Sequence, residues 1–137
     1  MEDQKWGRVI NISSAAGTHV FGGRLCDYGA SKAALNKFTV DMSKWVGPQF
    51  ITVNAIIPGT IMTPQIERQM QVLKEQHGWG DDPIENERKF SEIFPQSVPR
   101  LGVVRDIGAA AAFLASPLAG YINGAMLRID GGAANFV

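Results

Sequence analysis

The chain has 137 residues, 45% of them apolar, which is enough for one domain with a sizeable core and too few for two. Thirteen basic residues balance thirteen acidic ones, so charge gives no reason to expect a nucleic-acid or anionic-membrane partner. Cys26 is the only cysteine, which excludes an internal disulfide and a cysteine-based metal cluster and favours a reducing, cytoplasmic location. We also expect no signal peptide and no transmembrane helix, because the N-terminus is polar and no stretch approaches about 18 apolar residues.

The first half of the chain predicts a strand, a helix and a second strand. The β-branched run at residues 8–13 is typical of a buried strand. A helix follows, with Asp27 as its candidate cap and Gly47-Pro48 as its stop, since apolar residues recur at spacings of three and four: Leu35, Phe38, Met42 and Trp45. The apolar run at residues 51–57 predicts the next strand.

Residues 64–98 differ in character from these elements. Ile66, Met70 and Leu73 recur at helical spacing among polar neighbours, and a second polar helix is predicted at residues 84–94. The residues that break the pattern between the two helices are Gly78, Gly80 and Pro83. Because long excursions within a compact domain are usually functional, we interpret residues 64–98 as a mobile lid over a substrate site.

The last predicted elements are an Ala-rich helix at residues 106–116, with Asp106 favourable in its first turn, and a strand at residues 125–129. This alternation of strands and helices predicts an α/β fold with a parallel sheet and right-handed crossovers. Only three strands are predicted, whereas doubly wound sheets usually have about six.

Tyr28 and Lys32 stand four apart at the start of the first predicted helix, which places their Cβ atoms about 5–6 Å apart on one face. A phenol is too weak an acid to exchange protons efficiently at neutral pH, and a fixed ammonium beside it favours the phenolate. Tyr28 is therefore a candidate proton donor and acceptor, with Lys32 adjusting its ionisation. The pair alone is weak evidence, because a Tyr and a Lys at this spacing most often lie on a solvated helix face.

Further motifs surround this pair in a fixed order along the chain. They are Asn11-Ile12-Ser13-Ser14-Ala15-Ala16-Gly17, Tyr28-Gly29-Ala30-Ser31-Lys32-Ala33-Ala34-Leu35, Val53-Asn54-Ala55-Ile56-Ile57-Pro58-Gly59, Thr63-Pro64, Asn123-Gly124 and Asp130-Gly131-Gly132. In this order and spacing the set resembles the short-chain dehydrogenase/reductase family, and is similar to 3-oxoacyl-carrier-protein reductases, over essentially the whole chain. The resemblance implies the C-terminal half of a Rossmann-like doubly wound parallel sheet, with three strands and flanking helices over residues 1–137 and the N-terminal βαβ units absent.

The resemblance implies catalytic roles for three side chains. Tyr28 matches the family's catalytic acid/base, and Lys32 matches the lysine that binds the nicotinamide ribose and favours the ionised tyrosine. Ser14 matches the serine that holds the substrate oxygen. Its separation of fourteen residues from Tyr28 is slightly longer than in many members, which leaves Ser13 as an alternative.

Four positions match cofactor contacts of the family. Pro58 and Gly59 match the strand-end turn beside the nicotinamide, while Ile61, through its backbone, and Thr63 match positions that contact the carboxamide. The implied cofactor is NAD or NADP, and no metal is implied. The family's Thr-Gly-x-x-x-Gly-x-Gly phosphate loop, its cofactor-selecting residue and its helix asparagine have no match in the chain, so the preference between NAD and NADP is not readable.

Other residue types that could take part in chemistry rank lower. His19 lies in the loop between the serines and Tyr28 and is interpreted as a solvated loop residue, while Cys26 is expected to be a small buried residue. His77 has no partner pattern and is expected at the surface. Four lid or lid-flanking side chains fit a substrate pocket and ordinary lid packing equally well: Met62, Met70, Trp79 and Phe90.

The resemblance implies an NAD(P)-dependent oxidoreductase that interconverts an alcohol and a carbonyl, with a small-molecule substrate and a homo-oligomeric full-length form. Enoyl reductases of similar fold place their Tyr and Lys further apart than this chain does, which argues against them. We expect the 137 residues alone to be inactive. The alternative is a truncated, non-catalytic remnant that acts at most as an oligomerisation or interaction module.

Overall fold

The computed structural model describes residues 1, 3–20 and 25–133. Strands and helices alternate along the chain, with a helical pair inserted after the second strand. Their bounds are β1 (Gly7–Ile12), α1 (Cys26–Val46), β2 (Ile51–Pro58), β3 (Ile61–Met62), α2 (Pro64–His77), α3 (Pro83–Ile93), β4 (Gly102–Val103), α4 (Val104–Ala115) and β5 (Met126–Ile129). Short 3₁₀ helices lie at Ala15–Gly17, Gly47–Gln49 and Pro117–Ala119.

The main sheet has three parallel strands in the order β1-β2-β5. The central strand β2 is buried from Ile51 to Ile57, as expected for a strand that is paired on both edges and covered on both faces. Six residue pairs join β1 to β2, from Gly7 opposite Ile51 to Ile12 opposite Ile56. The predicted α/β fold with a three-stranded parallel sheet and flanking helices is therefore confirmed.

Helices cover both faces of this sheet. Ile51 and Val53 on one face pack with Val46 of α1, whereas Ile56 on the other face packs with Leu114 of α4. The division follows from the two-residue period of a strand, which sends alternate side chains to opposite faces. This arrangement leaves the carboxyl ends of the strands open to the loops that follow them.

Some predicted details of the helices were wrong. Asp27 does not cap α1; the N-cap is Leu25, and the Asp27 carboxylate accepts instead from the Tyr28 N–H inside the first turn, at 2.8 Å. Pro83, predicted as a break, is the first residue of α3, where the missing N–H of proline costs nothing. The prediction that Asp106 lies in the first turn of α4 is confirmed: its carboxylate accepts from the Val103 N–H at 2.9 Å, although the helix begins two residues earlier than predicted, at Val104.

The prediction of only three strands was also incomplete. Ile61 and Met62 pair in parallel with Gly102 and Val103, which forms a second, two-residue ladder. The ladder joins the two ends of the excursion that contains α2 and α3, so we call it the neck of the predicted lid, residues 64–98. Two residues per strand are too few for periodicity to reveal.

The core makes a direct prediction about stability. Leu114 is 1% exposed, and replacing it with Ala should lower the free energy of unfolding by about 2–5 kcal/mol because a cavity opens beside Ile56 and Ala119. Leu118 lies four residues later and is 85% exposed, so Leu118→Ala should change the free energy of unfolding by no more than about 0.5 kcal/mol. Urea unfolding of both variants checks this, and equal losses would contradict the packing described for α4.

Candidate active site

The carboxyl end of β1 leads directly into the two adjacent serines. The Ser13 N–H donates to the Ile56 carbonyl at 2.8 Å, which extends the sheet bonding by one residue. The Ser13 side chain is buried, and its hydroxyl donates to the Lys32 carbonyl at 3.3 Å. Ser14 is only half-buried and is the N-cap of the 3₁₀ helix, where its Oγ accepts from the Ala16 N–H at 3.2 Å. The two serines therefore have different environments: Ser13 is committed to α1, and Ser14 lies nearer the surface.

Helix α1 places Tyr28 and Lys32 one turn apart near the same strand end. The Lys32 Nζ lies 5.6 Å from the Tyr28 ring centroid, within the range of a cation–π contact. The same ammonium donates to the Ile12 carbonyl at 2.9 Å. Lys32 is thereby tied to the end of β1, while Tyr28 is 44% exposed, so its side chain is accessible.

Two glycines allow the serine-bearing loop to lie directly against α1. A Cβ on Gly17 would come within 2.8 Å of the Lys32 carbonyl carbon, and a Cβ on Gly29 within 2.8 Å of the Ala16 carbonyl oxygen. Any larger residue at either place would push the loop and the helix apart. Which glycines lie at this contact depends on the tertiary fold and not on the local sequence.

The carboxyl end of β2 supplies the second group of predicted residues. Pro58 ends the strand, and the Gly59 N–H donates to the Ile129 carbonyl at 3.0 Å. Ile61 begins the ladder at the neck of the lid, and Thr63 is the N-cap of α2, with Oγ1 accepting from the Ile66 N–H at 3.4 Å. These residues are half-buried at the same end of the sheet as the serines. As a hydroxyl, Thr63 retains a proton to donate.

The comparisons with known proteins match this architecture. A family model described as Enoyl-(Acyl carrier protein) reductase matches residues 1–134. The chain belongs to the short-chain dehydrogenase/reductase family. The expected resemblance is confirmed, although the description of the matched family model names enoyl rather than carbonyl reduction.

Several curated relatives of this short-chain dehydrogenase/reductase are named as reductases. Short-chain reductase protein NovJ of Streptomyces niveus is 35% identical over 96% of the chain and 47% of its own length. 3-oxoacyl-[acyl-carrier-protein] reductase FabG of Vibrio cholerae is 33% identical over 96% of the chain and 48% of its own length. Levodione reductase of Leifsonia aquatica is 37% identical over 96% of the chain and 46% of its own length. The chain spans about half the length of the curated relatives it matches.

Solved structures give the same picture of a short-chain dehydrogenase/reductase fold. YwfH, an NADPH-dependent reductase involved in bacilysin biosynthesis, superposes with a TM-score of 0.86 at 26% identity, covering 99% of this chain and 50% of YwfH. The crystal structure of levodione reductase superposes at 0.80 with 32% identity and the same coverage. The similarity therefore extends from the motifs to the backbone that carries them.

The predicted lid, residues 64–98, contains a buried aromatic residue, Phe90. Phe90 is fully buried and packs on Phe94 with ring centroids 5.0 Å apart, so its role is packing. Trp79 is half-buried and stacks on His77 at 5.8 Å, which gives the exposed His77 a partner that the sequence did not suggest. Met62 and Met70 are half-buried, a position compatible with either of the two predicted roles.

The remaining candidates lie beside the serine loop. His19 is half-buried and, with Cys26, lines a cavity of about 360 Å³ between that loop and α1. Cys26 was expected to be buried, but it is exposed and is the first residue of α1. Within residues 1, 3–20 and 25–133, no group of three or more His, Cys, Asp or Glu side chains could hold a metal ion. No helix in this described part is long and apolar enough to cross a membrane.

An ion pair joins the segment that follows residues 64–98 to helix α4. Arg100 binds the Asp106 carboxylate through both terminal nitrogens, at 2.8 and 3.1 Å. This hydrogen-bonded guanidinium, together with the Val103 N–H, holds the pKa of Asp106 below its ordinary value of 3.8. Because the pKa is lower in the folded chain, the pair stabilises the fold above that ordinary value and loses this effect as pH falls through the lowered pKa.

Asp106→Asn should therefore flatten the loss of stability on acidification below about pH 4, because the variant has no carboxylate to protonate. Arg100→Gln should flatten the loss of stability on acidification similarly, since the Asp106 carboxyl then loses the guanidinium that lowers its pKa. Urea midpoints measured from pH 6 to pH 2.5 give the slopes. An Asp106→Asn variant that loses stability as steeply as the wild type would contradict this account of the ion pair.

Proposed function

We propose that this chain carries the proton-transferring part of the active site of an NAD(P)-dependent reductase that interconverts a carbonyl and an alcohol. The observation that carries the proposal is the bond that ties Lys32, one helical turn after Tyr28, to the strand end two residues before Ser14. There the Lys32 ammonium is bonded to the Ile12 carbonyl and lies 5.6 Å from the Tyr28 ring. The reductase names of the relatives support this chemistry but belong to longer proteins.

The hydroxyls of Tyr28 and Ser14 interact with the negative charge that develops on the substrate oxygen during the reaction. Reduction of a carbonyl places negative charge on its oxygen, and the Tyr28 hydroxyl donates its proton to that oxygen, leaving a phenolate and a neutral alcohol. In the oxidation direction the phenolate takes the proton back. Ser14 donates a hydrogen bond to the same oxygen, which stabilises the charge where it forms.

Lys32 acts through its three N–H donors. One is bonded to the Ile12 carbonyl at 2.9 Å, which fixes the ammonium near Tyr28 and leaves two donors for ribose hydroxyls. The positive charge also stabilises the phenolate that remains after Tyr28 has given up its proton. Lys32 therefore holds the cofactor and supports the proton transfer.

The available donors fit one end of a dinucleotide. The ammonium of Lys32, the hydroxyl of Thr63 and the backbone around Gly59 and Ile61 suit a ribose and a carboxamide, which are both polar and hydrogen-bonding. When bound, the dinucleotide supplies or accepts the hydride. The chain contains no glycine-rich phosphate-binding run, so we propose that the 137 residues alone bind the cofactor weakly and do not turn over.

The contrast between the serines supports Ser14 as the substrate-binding residue. Ser13 is 3% exposed and already donates its hydroxyl proton to the Lys32 carbonyl. Ser14 is half-buried, and its Oγ accepts a bond, so its proton remains available. This difference favours Ser14 as the residue that binds the substrate oxygen. Ser13 has the different role of holding α1.

Carbonyl rather than enoyl reduction is favoured by the Tyr28–Lys32 spacing, with three residues between them. Enoyl reductases of similar fold have a longer separation, although the matched family model carries that description. The names of several relatives refer to 3-oxoacyl groups, levodione or cyclohexanol, each a carbonyl or an alcohol. We further propose that the lid, residues 64–98, selects among such small molecules, because it follows Thr63 directly.

A second function, assembly without catalysis, draws support from the surface of α1. Phe38 is 53% exposed and Trp45 is 77% exposed, and large apolar side chains on one helix are typical of an interface. A homo-oligomer in the cytoplasm fits both functions. Catalysis remains the better proposal, because an interface alone does not require the arrangement of Ser14, Tyr28 and Lys32.

The test is to graft residues 1–134 in place of the matched segment of levodione reductase and to measure levodione reduction. Tyr28→Phe should lower kcat by about 10²–10⁴-fold, since the ring remains and only the proton donor is lost. Ser14→Ala should lower it by about 10²-fold or more. Ser13→Ala is the matched control, and its kcat should stay within a few-fold of that of the unmodified graft. Turnover of Tyr28→Phe near that of the unmodified graft would exclude the assignment, and equal effects at the two serines would exclude Ser14 as the specific oxygen ligand.

A further inference from the structure

The turn after β5, Asp130-Gly131-Gly132, is built around a buried carboxylate. Asp130 is 8% exposed, and its Oδ1 accepts from the Gly132 N–H at 3.0 Å. The Ala133 N–H donates to the Asp130 carbonyl at 3.1 Å, and both glycines have positive φ angles, +61° and +78°. These bonds give the turn a defined shape.

One side of this turn contacts the segment proposed to lie beside the nicotinamide. The Gly59 backbone passes so close that an added Cβ would lie 2.8 Å from the Asp130 Cα and 2.9 Å from its Cβ. The Gly59 N–H also donates to the Ile129 carbonyl at 3.0 Å. The position of Gly59 is thus set by the residues that begin the turn.

The other side of the turn contacts the outgoing end of the lid. The Val98 N–H donates to the Gly131 carbonyl at 2.9 Å, and the Ser97 hydroxyl donates to the Gly132 carbonyl at 3.3 Å. An added Cβ on Gly132 would lie 2.9 Å from the Ser97 Oγ and 3.0 Å from its Cβ. The contact is close enough that a larger residue at 132 would displace residue 97.

We propose that the Asp130-Gly131-Gly132 turn is an anchor that sets the position of the lid exit, residues 96–100, relative to the Pro58-Gly59 turn. A cavity of about 310 Å³ lies between these segments, lined on one side by Thr60 and on the other by Gln96 and Val98. The anchor fixes the distance between these walls. Gly132 is accordingly a positioning residue, and its effect on substrate choice rests on the proposed function of the lid.

A matched pair of glycines separates anchoring from ordinary backbone strain. Gly78 in the lid has φ +62°, close to the +78° of Gly132, but an added Cβ there would meet nothing within 4 Å. Alanine at either position is strained by the positive φ. Only Gly132→Ala also pushes against Ser97, so a difference between the two variants at the lid exit reports the contact itself.

The experiment is amide hydrogen exchange on the 137-residue chain, which needs no turnover. Gly132→Ala should raise exchange at Val98 by about tenfold, because its bond to the turn is lost, while exchange of residues 51–57 in β2 stays the same. Gly78→Ala should leave the exchange rate of the Val98 amide within about twofold of the wild-type rate. Adding Ser97→Gly to Gly132→Ala removes the crowded atoms and should restore most of the protection at Val98.

Equal effects of the two alanines at Val98, or no rescue by Ser97→Gly, would overturn the anchor. If Gly132→Ala unfolds the sheet, Ser97→Ala provides the milder test, since it removes only the hydroxyl bonded to the Gly132 carbonyl. It should raise exchange near Val98 about two- to threefold, and an unchanged rate there would overturn the proposal. Because exchange does not depend on catalysis, failure of the anchor is distinguishable from failure of the proposed function, which the Tyr28→Phe graft tests.

Discussion

The hydrogen bond from the Lys32 ammonium to the Ile12 carbonyl, at 2.9 Å, is the interaction on which the candidate site depends. It joins the first helix to the end of the first strand, and the Ser13 hydroxyl joins them again through the Lys32 carbonyl. The position of Ile12 is itself set by its pairing with Ile56 in the central strand. Because the helix and the strand end are held together in this way, Tyr28, one turn before Lys32, and Ser14, two residues after Ile12, lie at the same edge of the sheet.

Helices α2 and α3 of the predicted lid pack on each other, and α2 packs on β3, whereas α1 and α4 pack on strands of the main sheet. Helix α2 has no buried residue, and α3 buries only Asn86 and Phe90. The lid is held instead at its ends, by the two-residue ladder between β3 and β4 and by the bonds of residues 97 and 98 to the last turn. Segments with few buried contacts open more readily than core elements, so we expect residues 64–98 to open more readily than the main sheet.

Spacing in the sequence predicted the main strands and helices, because strand and helix periods are local signals, whereas the site residues that the ordered motifs indicate stay a prediction. The choice between Ser13 and Ser14 was not local: it depends on where β1 stops pairing with β2, which leaves Ser13 bonded to Ile56 and Lys32. The close approach of Gly17 and Gly29 likewise comes from how the loop packs on α1. Periodicity could not reveal the β3–β4 ladder, because each strand has only two residues.

We propose that this chain arranges the proton-transferring side chains and supplies only the nicotinamide end of the cofactor contacts. Calorimetric titration of the purified chain with NADH and with NADPH, followed by a carbonyl-reduction assay, tests this proposal. We expect dissociation constants weaker than about 1 mM for both dinucleotides and no turnover above the uncatalysed rate. Sub-millimolar binding together with measurable turnover would contradict it.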